Sequence, residues 1–74
     1  MKNKIKNIMS TVFEIDEIEI SDDISAGNFE KWDSLRHMNL IMALEDEFGI
    51  SFSEEEMITM MSLKKILKAI DEKM

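Results

Sequence analysis

Ser34-Leu35-Arg36-His37-Met38-Asn39-Leu40-Ile41-Met42-Ala43-Leu44-Glu45-Asp46-Glu47-Phe48, with Trp32-Asp33 before it and Gly49 after it, is the stretch on which the fold turns. Leu35, Met38, Ile41, Met42, Leu44 and Phe48 recur at helical spacing, and with Glu45 they give an apolar stripe with a charged flank. The helix should start near Asp33 or Ser34 and end at Phe48, a rod about 22 Å long at ~1.5 Å per residue. Gly49 is suited to the left-handed residue that stops such a helix. Asp33 and Ser34 are both good caps. If Asp33 caps through its side chain, the Ser34 hydroxyl is left exposed in the positive field of the helix start, where an anionic phosphodiester would be favoured.

Working outward, Ile5, Ile8, Met9, Val12 and Phe13 predict a first helix from about Lys2 to Glu14. Residues 15–31 form a long connection. Ile18, Ile20, Ile24 and Phe29 punctuate it, so it is expected to pack over the core. After Gly49, Ser53-Glu54-Glu55-Glu56 fits a capping box that opens a short third helix through about Thr59. Ser62 caps a fourth helix with the stripe Leu63, Ile66, Leu67 and Ile70. No β-branched alternating run, proline or internal repeat competes with this reading. The expected fold is all-α: a four-helix bundle with a short third helix and a long first loop. Residues 1–74 are read as a single domain, expected to be a monomer.

Seventy-four residues without cysteine exclude disulfides and thiolate metal sites, and leave a core of modest size. Met1 to Lys6 is basic but is followed by no continuous hydrophobic stretch, so a cytoplasmic domain without membrane insertion is expected. The net charge of −7 is unevenly placed. Glu14 to Asp33 holds eight acids against Lys31, and Ser34 to Met60 holds six against Arg36, between basic ends. That pattern disfavours nucleic acid and suits basic protein partners. It also serves simply to keep a small protein in solution.

A Ser34–His37 pair invites a hydrolase reading, but one histidine, no glycine-rich elbow and no oxyanion donors count against it. No catalytic residues are assigned. His37 is expected to face solvent or a partner. One histidine and no Asp-x-Asp-x-Asp-Gly order leave no metal site to assign. The eight methionines are read mostly as a soft core, with some forming a pliable surface beside Ser34. Trp32 is expected to anchor the loop to the core.

At Asp33-Ser34-Leu35, joined to Met42-Ala43-Leu44-Glu45-Asp46-Glu47-Phe48, the chain resembles acyl carrier proteins, and helix order and loop lengths extend the resemblance over nearly its whole length. The resemblance implies that Ser34, flanked by Asp33 and Leu35, is the attachment point for 4′-phosphopantetheine. A phosphopantetheinyl transferase would add this arm from coenzyme A, and its thiol would carry acyl or aminoacyl cargo as a thioester. It further implies a docking face on the second and third helices: Arg36, Met38, Met42, Glu45, Asp46, Glu54, Glu55 and Met57. Acyl- or aminoacyl-loading and acyl-transferring enzymes would meet it there. Fatty-acid carriers usually hold acids where this chain has Arg36 and Asn39, and small residues where it has Lys31-Trp32. These departures point to a specialised biosynthetic pathway rather than bulk fatty-acid synthesis. The alternative is an acidic helical binding or inhibitor module acting on a basic protein, which would give Ser34 no special task.

Overall fold

A computed structural model describes residues 1–74. Four helices form in order: α1 (Lys2–Phe13), α2 (Ser34–Phe48), α3 (Glu54–Thr59) and α4 (Leu63–Lys73), with one 3₁₀ turn at Glu17–Glu19. Each boundary follows from local chemistry. Asp33 has an extended backbone and its side chain accepts the Arg36 N–H, which starts α2. Gly49, at φ 64°, stops it in the left-handed conformation. The capping box at Ser53 and Glu56 is fully formed, and Ser62 accepts the Lys65 N–H to open α4. α1 ends one residue earlier than expected, because Glu14 itself takes the left-handed position at φ 56°. No helix is long and apolar enough to cross a membrane.

Ile5, Met9 and Phe13 of α1, Leu40, Ile41 and Leu44 of α2, and Leu63, Ile66 and Ile70 of α4 are fully buried in one core with Met60. The radius of gyration is 11.0 Å, close to the ~11 Å expected for a folded chain of this length. The long loop packs as expected through Ile20, Ile24 and partly buried Phe29, but not through Ile18, which is 92% exposed on the 3₁₀ turn. The loop is tied to the turn before α4: Ala26 N–H donates to Met61 O (2.9 Å) and Leu63 N–H to Ile24 O (3.0 Å). Asn28 orders it internally, accepting the Ser25 N–H and donating to Asp23 O, both at 2.9 Å.

Two expectations are corrected. On α2, Leu35, Met38 and Met42 do not share the buried stripe; they are exposed, while Leu40 and His37 are buried. At ~100° per residue, positions 37, 40, 41, 44 and 48 share one face and 35, 38 and 42 another. The helix therefore carries two apolar stripes, and spacing alone does not say which turns inward. The methionines are not mostly core either. Of eight, only Met9 and Met60 are fully buried.

The basic ends fold back onto the acidic middle. Lys2 (3.0 Å) and Lys6 (2.6 Å) converge on Asp22, Lys64 reaches Asp23 (2.9 Å), Lys4 reaches Glu47 (3.5 Å) and Lys73 reaches Glu56 (3.0 Å). The Ser53 backbone N–H, then Lys73, holds the Glu56 carboxyl below its ordinary value. Asp23 pushes Lys64 up. The hydrogen bond from Lys6, then that from Lys2, lowers the Asp22 carboxyl from 3.8 to about 2. A depressed carboxyl stabilises the fold above its unfolded value and loses that contribution as the pH falls through the folded one. Acid titration followed by circular dichroism should therefore show stability falling between pH 4 and about 2. In Asp22→Asn that part of the fall should be reduced; an unchanged acid limb would refute the linkage.

Candidate functional site

Ser34 is the first residue of α2 and is exposed. Asp33 accounts for the cap: one oxygen accepts the Arg36 N–H at 2.8 Å and the other holds the Arg36 guanidinium at 3.2 Å. The Ser34 hydroxyl takes no part in this cap or in any other side-chain hydrogen bond of the fold. The Ser34 and Leu35 N–H groups have no partner within the helix, so the hydroxyl stands where negative charge is favoured.

An open cleft of about 520 Å³ begins at Ser34. Met38 from α2, Met57 and Ile58 from α3, and Met61 beyond it form apolar walls, with Glu54 at the rim. A larger depression of about 810 Å³ near the end of α1 is lined mostly by polar residues, among them Glu14, Asp16, Glu19 and Glu30, and does not include Ser34.

His37 lines the floor of the cleft but not as expected: it is only 7% exposed, and both ring nitrogens are bonded within the fold rather than turned to solvent. Its Nδ1 accepts the Trp32 indole N–H at 2.9 Å, and its Nε2 lies 2.8 Å from Met57 O. Both bonds form together only with a neutral ring carrying its proton on Nε2. The Met57 carbonyl also accepts the Met60 N–H (3.2 Å), so His37 helps satisfy the end of a six-residue helix that would not stand alone. Trp32 is 4% exposed, stacks on His37 (6.1 Å) and packs at a tilt against Phe13 (5.3 Å), with Phe29 5.2 Å from Phe13. The expected anchor is therefore present, and it braces the residues on both sides of Ser34.

Leu35 (71% exposed), Met38, Met42 and Asp46 lie on the exposed side of α2, and Glu54 and Glu55 on the first turn of α3. Met57 is half-buried in the cleft wall. Glu45 is partly committed elsewhere, since it accepts the Phe52 N–H at 2.8 Å and fixes the turn into α3. Sequence reasoning missed Ile58, which is 72% exposed, whereas Met38, Met57 and Met61 form the pliable methionine surface expected beside Ser34. An isoleucine in a six-residue helix with three glutamates was the available signal for Ile58.

Comparison with known proteins places this geometry. The family model described as the phosphopantetheine attachment site matches residues 3–70. An acyl carrier protein of Petrotoga mobilis is 31% identical over 71 residues, covering 96% of this chain and 84% of that protein. The solution structure of the holo acyl carrier protein from Geobacter metallireducens superposes with a TM-score of 0.83 at 31% identity, over 96% of this chain and 82% of that one. The fold is that of a non-catalytic carrier. The chain belongs to the acyl carrier protein family, whose prosthetic group is phosphopantetheine. The site fits such a group, with an accessible, unbonded hydroxyl at a helix start beside an apolar cleft. The alternative of an inhibitor module gains no support from these comparisons.

Proposed function

We infer that Ser34 carries the 4′-phosphopantetheine arm and that residues 1–74 act as one carrier domain, presenting cargo to successive enzymes in the cytoplasm. The observation that supports this best is the Ser34 hydroxyl, exposed and unbonded while Asp33 does the capping. When bound, the arm supplies a thiol that holds an acyl or aminoacyl group as a thioester. The chain's own residues position it: Asp33 and Leu35 frame the attachment turn, and the first-turn N–H groups favour the phosphate. Tethering raises the effective concentration of cargo at each enzyme.

Docking partners are the transferase and acyl- or aminoacyl-handling enzymes. They would meet Leu35, Arg36, Met38, Met42 and Asp46, with Glu45, Glu54, Glu55 and Met57 alongside. Weak, charge-steered contact suits repeated hand-offs. Arg36 sets a positive charge against Asp33, two residues from Ser34, and supports a specialised rather than a bulk pathway.

Incubation with coenzyme A and a broad-specificity phosphopantetheinyl transferase should add one arm, read by mass spectrometry, and an unmodified protein would overturn the assignment. Intact mass of the protein from its native host would show arm and cargo together. A long fatty acyl group there would sink the specialised reading.

A further inference from the structure

The cleft beside Ser34 has a floor, and the floor is a hydrogen-bonded bridge. His37 joins α2 to the last turn of α3 through Met57 O, and its other ring nitrogen is held by Trp32. Leu40 and Leu44 on the His37 face of α2, and Met60 at the end of α3, are each wholly buried. An apolar chain on an arm at Ser34 would meet the walls of the cleft first. To go deeper between α2 and α3 it would have to separate His37 from Met57. That would leave a buried ring N–H without its partner and Met57 O with the Met60 N–H alone, a loss that an apolar chain could not replace. Parting the helices would also unsettle Trp32, which stacks on His37 and packs against Phe13.

We propose that the His37 bridge is a partition that keeps cargo out of the bundle interior, so that this carrier is selective for short acyl groups that fit the surface cleft. The inference rests on Ser34 as the attachment point and goes further by naming the cargo class and the residue that sets it. His37 touches no reacting atom; it determines specificity by holding α3 in place. Each added methylene gains by leaving water, so a long chain presses on the partition harder than a short one.

The methionines supply the readout. Holo protein carrying acetyl, hexanoyl or dodecanoyl thioester is prepared with methyl-labelled methionine, and loading at residue 34 is first verified by mass. In the wild type, the Met38, Met57 and Met61 methyl signals should shift with cargo while Met60 and Met9 stay fixed at every length. Thioester cleavage by hydroxylamine should change by less than about threefold from acetyl to dodecanoyl, because the chain stays on the surface. In His37→Leu, which keeps bulk but cannot bridge, dodecanoyl should move Met60 and slow cleavage by about tenfold or more. His37→Gln, which can still donate to Met57 O, should restore the wild-type pattern.

A wild-type dodecanoyl form in which Met60 moves and cleavage is protected overturns the partition whether or not either variant folds. So does a folded His37→Leu protein that behaves like the wild type. A protein that takes no arm at all fails at the mass measurement, and then the assignment of Ser34 falls before the partition is reached.

Discussion

Ser34→Ala leaves the protein folded and unable to accept the arm. The first half of this result follows from the cap. Asp33 supplies the side-chain acceptor for α2, and the Ser34 hydroxyl makes no side-chain hydrogen bond, so removing it breaks nothing in the fold. Alanine is also the best helix former at an exposed position. The stability change should stay within about 0.5 kcal/mol, a shift of a few degrees in the thermal midpoint at most. The second half is chemical. Transfer of the phosphopantetheinyl group needs an oxygen nucleophile here, and alanine has none, so mass addition should drop from complete to undetectable. Thermal melting and intact mass, read on the same sample, separate the two halves. An alanine variant that still gains the arm would move the attachment to another hydroxyl. One that unfolds would make Ser34 a structural cap.

Trp32→Ala produces the opposite pattern, with heavy loss of stability and an intact Ser34. The indole is 4% exposed and packs on Phe13 as well as His37. Truncating a buried aromatic of this kind costs roughly 3–5 kcal/mol. A domain of this length holds only about 4–11 kcal/mol in total. At about 4–8 °C per kcal/mol, the midpoint should fall by tens of degrees. Trp32→Phe divides the effect, because it keeps much of the packing but leaves His37 Nδ1 without its donor, a loss of roughly 1–3 kcal/mol. Thermal denaturation of the pair tests the division. A Trp32→Ala protein that melts near the wild type would show that the loop is anchored elsewhere.

The parts of the fold that were legible in the sequence are those decided within one helical turn. Asp33, Gly49, the Ser53–Glu56 box and Ser62 each satisfy or terminate backbone groups three or four residues away, so their roles can be read from neighbours alone. The face that α2 buries could not be read that way. Apolar residues at 35, 38, 40, 41, 42 and 44 spread over roughly 220° of the helix at ~100° per residue, so no wide polar gap separates the stripe that turns inward from the one that stays outside. Burial of Leu40 rather than Leu35 depends on where α1 and α4 pack. His37 was misjudged for the same reason. Its partners lie five residues back, across the helix start, and twenty residues ahead on α3, and neither distance follows a helical period. The exposed Ser34 hydroxyl was legible from the capping aspartate beside it, whereas its reading as an attachment point came from the family resemblance. The cleft beside it was not legible, since Met57, Ile58 and Met61 reach it only through the turn that Glu45 fixes.

The chain contains a single tryptophan, and the fold seats that indole against the histidine at the floor of the cleft. The protein thus carries its own optical probe two positions from Ser34. Its emission colour and quenching register any loosening of the histidine contact during loading or hand-off, so encounters with enzymes can be timed by stopped-flow fluorescence without attaching a dye.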